Sequence, residues 1–148
     1  VTKILNITLP DVAIFGEKDY QQLQVIKRLA RDLNLAVEIV GMPIVREADG
    51  LAMSSRNSYL SPADRQRAVA LSRALDLAQK MAEKGERSAA AIKERVMKHL
   101  QGSVDKLDYV EIVHPETLAP VETAASFSVI LLAAFVGKTR LIDNAELP

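Results

Sequence analysis

Two short stretches of the sequence combine residue types that could bind phosphate. The first is Gly16-Glu17-Lys18-Asp19 and the second is Ser54-Ser55-Arg56. A glycine lets a ligand approach the backbone closely, and a lysine supplies a point charge. Serine hydroxyls and the planar fork of an arginine donate hydrogen bonds to phosphate oxygens. Both stretches are therefore candidates for anion recognition.

Each stretch also has an ordinary structural explanation. Ser54–Arg56 lies in the irregular segment 50–60, which could be a solvated loop with a surface arginine. Asp19 is a plausible N-cap, so the first stretch could be a plain strand-to-helix turn. It is not a P-loop, because the spacing G-x-x-x-x-G-K-[ST] is absent. Gln22, in the first turn of the following helix, could contact a small polar substrate or simply be solvated.

The elements that must position the first stretch form a βαβ unit. Residues 3–9 predict the end of a helix, and Val12–Phe15 has the composition of a buried parallel strand. Apolar residues at helical spacing predict a helix after Asp19, and residues 37–40 predict a second strand. Such a unit is expected to be parallel with a right-handed crossover. Ligands bind at the carboxyl ends of strands in such sheets, which is where Gly16 lies.

The second stretch is followed by a lobe that we expect to contain two helices on a small antiparallel sheet. Ser61-Pro62-Ala63-Asp64 is a strong helix start, and the apolar spacing continues as one helix to Gly85. Ser88 can cap a second helix that ends near Gly102. Strands are predicted at 107–113, 127–136 and 140–143, with Gly137-Lys138 as the hairpin turn between the last two.

Composition narrows the classes of function. The chain has 148 residues, 49% of them hydrophobic, with 19 basic and 19 acidic residues and no cysteine. The zero net charge gives no support for a nucleic-acid or membrane surface, and disulfide and thiol chemistry are excluded. The absence of cysteine agrees with a cytoplasmic setting. The longest apolar run is too short to span a bilayer, no signal-peptide pattern is visible, and a start without Met suggests a processed or truncated product.

Other polar residues offer little chemistry. His99 and His114 are not at metal-ligand spacing to each other or to a carboxylate cluster, so no metal site is predicted. No Ser/His/Asp arrangement is visible. Asp49 near Arg46 is expected to form a weak local ion pair. Asp143-Asn144 is interpreted as a cap or turn.

Taken together, four segments resemble one enzyme family. They are Phe15–Leu23, Ile39–Arg46, Asp49–Leu60 and the ending Arg140–Asn144. Their sequences, order and spacing closely resemble pantothenate synthetase (pantoate–β-alanine ligase), and the resemblance covers essentially the whole chain. It favours phosphate binding over the two ordinary explanations given above.

The resemblance implies an ATP-dependent ligase of the coenzyme A pathway. ATP would adenylate the carboxylate of pantoate and release pyrophosphate in the presence of Mg²⁺, and the amine of β-alanine would then displace AMP. The family belongs to the class I synthetase-like nucleotidyltransferases, with a Rossmann-like N-terminal domain and a smaller C-terminal domain. The implied fold class is thus α/β, a partial Rossmann-like βαβ part plus a small α+β lobe with an antiparallel sheet.

The resemblance also assigns roles to individual residues. Catalytic roles fall to Lys18 and to Ser54, Ser55 and Arg56, which match the family's mobile KMSKS-like loop. Gln22 would contact pantoate, the backbone of Val45 would read adenine, and no residue is implied as a metal ligand. The complete set of implied ATP contacts is Gly16, Glu17, Lys18, Asp19, Val45, Met53, Ser54, Ser55 and Arg56.

One departure from the family is large. Its N-terminal half, with a His-x-Gly-His motif and most of the substrate-binding residues, has no counterpart here. The chain is expected to be a fragment without turnover of its own, comprising residues 1–45 from the Rossmann-like domain, the loop 46–60 and a C-terminal lobe 61–148. The full-length enzyme is expected to be a homodimer. The alternative is a non-catalytic interaction or folding lobe with an incidental phosphate site, and the exposed edge of the truncated sheet is expected to cause association or poor solubility.

Overall fold

The computed structural model describes all 148 residues, which form two compact units, Val1–Ile44 and Val45–Pro148. The first unit contains α1 (Thr2–Thr8), β1 (Val12–Gly16), α2 (Tyr20–Asp32) and β2 (Glu38–Met42). The second contains a 3₁₀ helix (Ser55–Tyr59), α3 (Pro62–Ala68), α4 (Ala70–Glu83), α5 (Ala89–Leu100), β3 (Lys106–Val113), β4 (Val129–Val136) and β5 (Thr139–Glu146). None of these helices has the length and apolar character needed to cross a membrane.

The first unit is a βαβ arrangement, as its sequence pattern predicts. β1 and β2 pair in parallel, in a register that runs from Val12 opposite Glu38 to Gly16 opposite Met42. Leu23 and Ile26 are buried on the inner face of α2, which packs against both strands. The prediction that these strands and this helix form a parallel α/β element is therefore confirmed.

The prediction that β1 is a buried strand is wrong for this chain. Val12 is 47% exposed and Ile14 is 66% exposed, although Ala13 and Phe15 on the opposite face are half-buried. Parallel sheets usually have both faces covered, because crossover helices lie on both sides. In this unit α2 covers one face, so the apolar residues of the other face remain accessible to solvent.

The second unit is built on an antiparallel sheet of order β3-β4-β5. β4 and β5 form the predicted hairpin, in which Val136 pairs with Thr139 across the two-residue turn Gly137-Lys138. Helices α4 and α5 pack on the sheet, and the core includes fully buried Leu75, Ile92 and Leu132. The antiparallel lobe predicted from the strand pattern is thus confirmed.

Two predicted helix starts are correct in detail. The hydroxyl of Ser61 accepts a hydrogen bond from the amide of Asp64 at 3.1 Å, with Pro62 at the first helical position. Ser88 caps α5 by accepting from the amide of Ala91 at 3.3 Å. Both caps satisfy backbone donors that a helix leaves unpaired at its start.

The single helix expected from Ser61 to Gly85 is instead two helices, α3 and α4, so the lobe has three helices rather than two. The interruption falls at Val69, whose backbone keeps right-handed helical angles of −60° and −19°. The hydroxyl of Ser72 donates to the carbonyl of Val69 at 3.0 Å. The amide of Arg73 still donates to the same carbonyl at 3.3 Å, so the helical hydrogen bonding resumes directly after the interruption.

Candidate functional site

The first predicted stretch, Gly16–Asp19, forms the turn between the end of β1 and the start of α2. The amide of Glu17 donates to the carbonyl of Met42 at 2.9 Å, so the turn begins as an extension of the sheet. Asp19 is the N-cap of α2, and its carboxylate accepts from the amide of Gln22 at 3.4 Å. The structure therefore brings together Gly16, Glu17, Lys18, Asp19 and Gln22 at the carboxyl end of β1.

Gly16 lies at an open point of this turn. A Cβ atom built on Gly16 would meet no atom within 4 Å, and its φ angle lies outside the left-handed region. Neither packing nor backbone conformation within this chain therefore requires glycine at this position. The absence of a side chain leaves room for a ligand to approach the backbone.

The neighbouring Gly41 on β2 behaves differently. A Cβ atom on Gly41 would lie 2.8 Å from Oε1 of Glu17 and 2.9 Å from Cδ2 of Leu23. The absence of a side chain on Gly41 thus allows the Glu17 side chain and α2 to pack closely against β2. Gly41 is a supporting residue that the sequence motifs did not single out.

The second predicted stretch follows a narrow two-stranded loop. The amide of Met53 donates to the carbonyl of Val45 at 2.9 Å, and the amide of Glu47 donates to the carbonyl of Leu51 at 2.8 Å. Arg46 and Ala52 form an antiparallel bridge between these two bonds. Two of the predicted ATP contacts, Val45 and Met53, are therefore brought together although they are not adjacent in sequence.

Ser54, Ser55 and Arg56 lie at the start of an ordered turn. The segment expected to be irregular contains the 3₁₀ helix Ser55–Tyr59, because the Ser54 hydroxyl caps it by accepting from the amide of Arg56 at 3.2 Å. The side chains of Ser55 and Arg56 are exposed. Nη1 of Arg56 lies 3.5 Å from the carbonyl oxygen of Arg140, and no carboxylate forms an ion pair with this guanidinium.

The base of the loop is fixed by a bidentate ion pair. Nη1 and Nη2 of Arg46 donate to the two carboxylate oxygens of Asp143 at 2.7 Å and 3.0 Å. The side chain of Asp143 is only 2% exposed, and its hydrogen bond raises the pKa of Arg46. The expected local pair between Asp49 and Arg46 is wrong, since Arg46 binds a residue 97 positions away and Asp49 binds Arg65.

A second network of polar side chains, centred on Asn57 and Glu47, stabilises the 3₁₀ helix that follows Ser54. The buried amide of Asn57 donates to Oε1 of Glu47 at 2.7 Å and to the carbonyl of Ala52 at 3.1 Å. Arg65 binds Glu47 at 2.6 Å and Asp49 at 2.9 Å. The hydrogen bond from Asn57, followed by that from Arg65, lowers the pKa of Glu47. Sequence reasoning does not find this network, because the motifs single out only Asp49 and give it a different partner.

The histidines and carboxylates do not form a metal centre. His99 is exposed on α5, and Nδ1 of His114 accepts hydrogen bonds from the amides of Glu116 and Thr117 within its turn. No group of three or more His, Cys, Asp or Glu side chains could hold a metal ion. The two hydroxyls and the guanidinium of one unit, and the glycine-led helix start of the other, are groups that can donate hydrogen bonds to an anion.

Comparison with known proteins identifies the family. The family model described as pantoate-beta-alanine ligase matches residues 1–146. The pantothenate synthetase of Anaeromyxobacter dehalogenans is 58% identical over 148 residues, which is 100% of this chain and 51% of that protein. This chain therefore spans about half the length of such a relative.

Solved structures agree with this match. The crystal structure of pantothenate synthetase from Thermus thermophilus superposes with a TM-score of 0.93 at 44% identity, covering 99% of this chain and 54% of that one. Pantoate-beta-alanine ligase from Francisella tularensis, described as complexed with beta-gamma ATP and beta-alanine, superposes with a TM-score of 0.72 at 30% identity, covering 98% of this chain and 47% of that one. The chain belongs to the pantoate–β-alanine ligase family.

Proposed function

We propose that this chain is part of an ATP-dependent ligase that joins pantoate to β-alanine. The observation that carries the proposal is the Ser54–Arg56 turn. Hydrogen bonds from the Asn57 side chain to Glu47 and Ala52 fix this turn in place, and the guanidinium of Arg56 has no carboxylate partner. The Francisella relative is described as complexed with beta-gamma ATP and beta-alanine, which supports ATP and β-alanine as substrates in this proposal. Because this chain spans about half of its relatives, the remaining catalytic groups would come from outside this sequence.

The proposed reaction has two steps. A carboxylate oxygen of pantoate attacks the α-phosphorus of ATP, and the bond between this phosphorus and the bridging oxygen breaks to release pyrophosphate. The amine of β-alanine then attacks the acyl carbon of the adenylate, loses a proton, and expels AMP to form the amide. Neither step needs a covalent bond to the protein, so the tasks of the protein are alignment of the substrates and stabilisation of charge.

The turn after β1 would hold one side of the nucleotide. Gly16 would let a phosphate approach the backbone, and Lys18 would add positive charge next to the N-terminus of α2. Glu17 and Asp19 would complete the ATP contacts, and the side chain of Gln22 would donate to or accept from pantoate. The open space above Gly16 supports this assignment.

The Ser54–Arg56 turn would act on the phosphates of the leaving group. The hydroxyls of Ser54 and Ser55 and the guanidinium of Arg56 would donate to oxygens that gain charge when the bond to the α-phosphorus breaks. Val45 and Met53 lie next to the isolated bridge between Arg46 and Ala52, just before this turn, and the backbone of Val45 would contact adenine. The hydrogen bond between these two residues supports a common role.

Magnesium would enter this site with the nucleotide, as Mg–ATP. No cluster of side chains in this chain fits a resident divalent ion. When bound to ATP, the ion would neutralise phosphate charge. The residues of this chain would orient the phosphates and stabilise their remaining charge.

The domain assignment belongs to the same proposal. Residues 1–45 would be the C-terminal part of a Rossmann-like nucleotidyltransferase domain, residues 46–60 the loop that closes on the phosphates, and residues 61–148 the C-terminal lobe. The exposed apolar face of β1 supports this view, since a strand of a parallel sheet is normally covered on both faces. The resemblance further implies a homodimeric, cytoplasmic enzyme when the whole protein is assembled.

A chimaeric enzyme tests the proposal directly. The stretch of the Anaeromyxobacter relative that matches this chain would be replaced by residues 1–148, and pantothenate, AMP and pyrophosphate would be measured after addition of pantoate, β-alanine and Mg–ATP. With pantoate, β-alanine and Mg–ATP all present, we expect equal amounts of the three products over many turnovers. Without β-alanine we expect no pantothenate or AMP, and no more pyrophosphate than one equivalent of the enzyme. A folded chimaera without this activity, beside an active parent enzyme, would favour the alternative of a non-catalytic lobe.

Variants of the chimaera test the individual residues. Lys18→Ala and Arg56→Ala are each expected to lower kcat by about 100-fold or more, since each removes a charge from the transition state. Lys27→Ala and Arg95→Ala are matched controls, because both residues are exposed on helices away from the predicted contacts. Equal effects of site and control variants would show that the two stretches are not used for catalysis.

A further inference from the structure

A cavity of about 430 Å³ lies beside the Ser54–Arg56 turn, and part of its lining is not assigned to any role above. It is lined by Arg56, Tyr59, Lys138, Thr139 and Arg140. The 3₁₀ helix supplies the first two residues, and the β4–β5 hairpin supplies the other three. The whole lining belongs to the second unit of the structure.

The lining of this cavity is strongly positive. Three of its residues are cations, Arg56, Lys138 and Arg140, and none of its residues is acidic. Arg140 forms an ion pair with Asp108, which does not line the cavity. Nε and Nη2 of Arg140 donate to Oδ2 of Asp108 at 2.9 Å and 2.8 Å. Arg56 and Lys138 form no ion pair, so two cations face the cavity without a compensating carboxylate.

The hairpin turn that carries Lys138 is firmly anchored. The amide of Gly137 donates to Oδ2 of Asp105 at 2.6 Å, and the other carboxylate oxygen of Asp105 binds Arg67 at 2.8 Å. Gly137 has a φ angle of 57° and lies so close to the carboxylate of Asp64 that a Cβ atom would be 3.0 Å from Oδ2. The turn is therefore held in one place before any ligand binds, which reduces the entropy lost on binding.

Asp108 also has a defined position. The register of β3 against β4 shifts between Leu107 and Tyr109, so Asp108 is the extra residue of a bulge. A bulge re-aims the side chain that it carries, and here the carboxylate reaches Arg140 on β5, two strands away. This contact orders the Arg140 guanidinium at the edge of the cavity and leaves Arg56 and Lys138 as the cations without a carboxylate partner.

We propose that Lys138 is a phosphate-binding residue that, together with Arg56, holds a diphosphate group in this cavity. The inference rests on the proposed function, because Arg56 is shared with the ATP site. A diphosphate carries several negative charges, which matches two uncompensated cations, and the hydroxyls of Tyr59 and Thr139 can donate to its oxygens. The same chemistry would bind the β- and γ-phosphates of ATP before reaction and pyrophosphate after it.

Titration calorimetry of the 148-residue chain with inorganic pyrophosphate tests the proposal without requiring catalysis. Lys138→Gln should weaken pyrophosphate binding at least about fivefold at low salt, because it removes a point charge a few ångströms from the ligand. Arg56→Gln should weaken it to a similar or greater extent. Lys98→Gln, at an exposed position on α5 outside the cavity, is the matched control and should leave the affinity unchanged.

Kinetics of the chimaeric enzyme distinguish the two sources of the diphosphate. If the cavity holds the β- and γ-phosphates, Lys138→Gln should raise the KM for Mg–ATP and leave inhibition by AMP unchanged. If it holds released pyrophosphate alone, the variant should raise the inhibition constant of pyrophosphate with an unchanged KM. Either result supports a diphosphate site.

Two other outcomes would overturn the proposal that Lys138 helps to bind a diphosphate group. Equal pyrophosphate affinities of the Lys138→Gln and Lys98→Gln chains, or unchanged ATP and pyrophosphate constants in the active chimaera, would show that Lys138 holds no phosphate. An active chimaera with no effect of Lys138→Gln would leave the proposed ligase function intact. An inactive chimaera combined with Lys138-dependent pyrophosphate binding would reject that function and keep the diphosphate site.

Discussion

Arg46 and Asp143 join the two ends of the second unit through two hydrogen bonds, Nη1–Oδ2 at 2.7 Å and Nη2–Oδ1 at 3.0 Å. Nη1 of Arg46 also lies 3.2 Å from the carbonyl oxygen of Gly50, so one guanidinium binds both β5 and the loop that leads to Ser54. Oδ1 of Asp143 accepts the amide of Asn144 as well. The carboxylate of Asp143 thus accepts hydrogen bonds from several donors, and through Arg46 it holds the loop that leads to the Ser54–Arg56 turn.

We predict that Asp143→Asn lowers the free energy of unfolding of the second unit by about 2–3 kcal/mol, because it leaves a half-buried guanidinium without its counter-charge. The measurement is urea denaturation followed by circular dichroism. Glu111→Gln is the control, since Glu111 is 43% exposed and pairs with Lys93 at the surface. We expect a loss of less than about 1 kcal/mol for the control. A smaller loss for Asp143→Asn than for Glu111→Gln would show that the buried pair does not support this loop.

Acidification should loosen the same loop. The hydrogen bonds from Asn57 and Arg65 hold the pKa of Glu47 below its ordinary value of 4.5. A lowered pKa in the folded state means that the contribution of this carboxylate to stability is complete above about pH 4.5 and is lost as the pH falls through the folded-state pKa. The thermal midpoints of the wild type and Glu47→Gln should therefore differ most near neutral pH and converge at lower pH. Glu83→Gln, at an exposed helical position, is the control; parallel profiles for wild type and Glu47→Gln would contradict this prediction.

Asn57 should act as a positioning residue for Ser54, Ser55 and Arg56. Asn57→Asp would replace a donor by a carboxylate beside Oε1 of Glu47, which is 2.7 Å from the amide nitrogen. Like charges at this distance repel, so we expect faster hydrogen exchange at the amide of Met53 and weaker binding of Mg–ATP. Adding Glu47→Gln should restore both properties in large part, because it removes the second charge. A double variant as defective as Asn57→Asp alone would mean that the effect is not electrostatic.

Local signals explain which parts of the fold could be predicted. The caps at Ser61 and Ser88 and the turn at Gly137-Lys138 are each encoded within a few residues, and all three occur as predicted. The two candidate anion-binding stretches, Gly16–Asp19 and Ser54–Arg56, are also local, because each is a run of consecutive residues. Sequence reasoning is reliable where the partners of a residue lie within one turn of helix or one hairpin.

The features that escaped prediction depend on distant residues. The partner of Arg46 is 97 positions away, and the acidic residue expected to pair with it, Asp49, binds Arg65 instead. The break between Ala68 and Ala70 has no counterpart in the sequence pattern, because the apolar spacing continues through it. The exposure of Ile14 depends on which segments cover a sheet face, and composition does not contain that information.

Glycine substitutions should separate folding from binding in the first unit. Gly41→Ala is expected to lower the free energy of unfolding by about 1–3 kcal/mol, since its Cβ would press on Glu17 and Leu23 at less than van der Waals distance. Gly16→Ala meets no neighbouring atom, so its stability should be equal to the wild type or higher by up to about 1 kcal/mol. Binding of Mg–ATP should nevertheless weaken in Gly16→Ala, because the methyl group would occupy the space proposed for a phosphate. Unchanged ATP affinity in Gly16→Ala would remove Gly16 from the proposed site.

The exposed apolar surface of the first unit should cause self-association of the isolated chain. Ile7 is 78% exposed, Leu9 is 77% exposed and Ile14 is 66% exposed, and large exposed apolar side chains favour contact or aggregation. We expect sedimentation velocity to show association that increases with concentration and that is reduced by Ile7→Glu combined with Ile14→Thr. Met97→Gln is the control, because Met97 is 40% exposed on α5 in the other unit. A clean monomer at all concentrations would contradict association through this surface, and equal association of the double variant and the control would place the contact elsewhere on the chain.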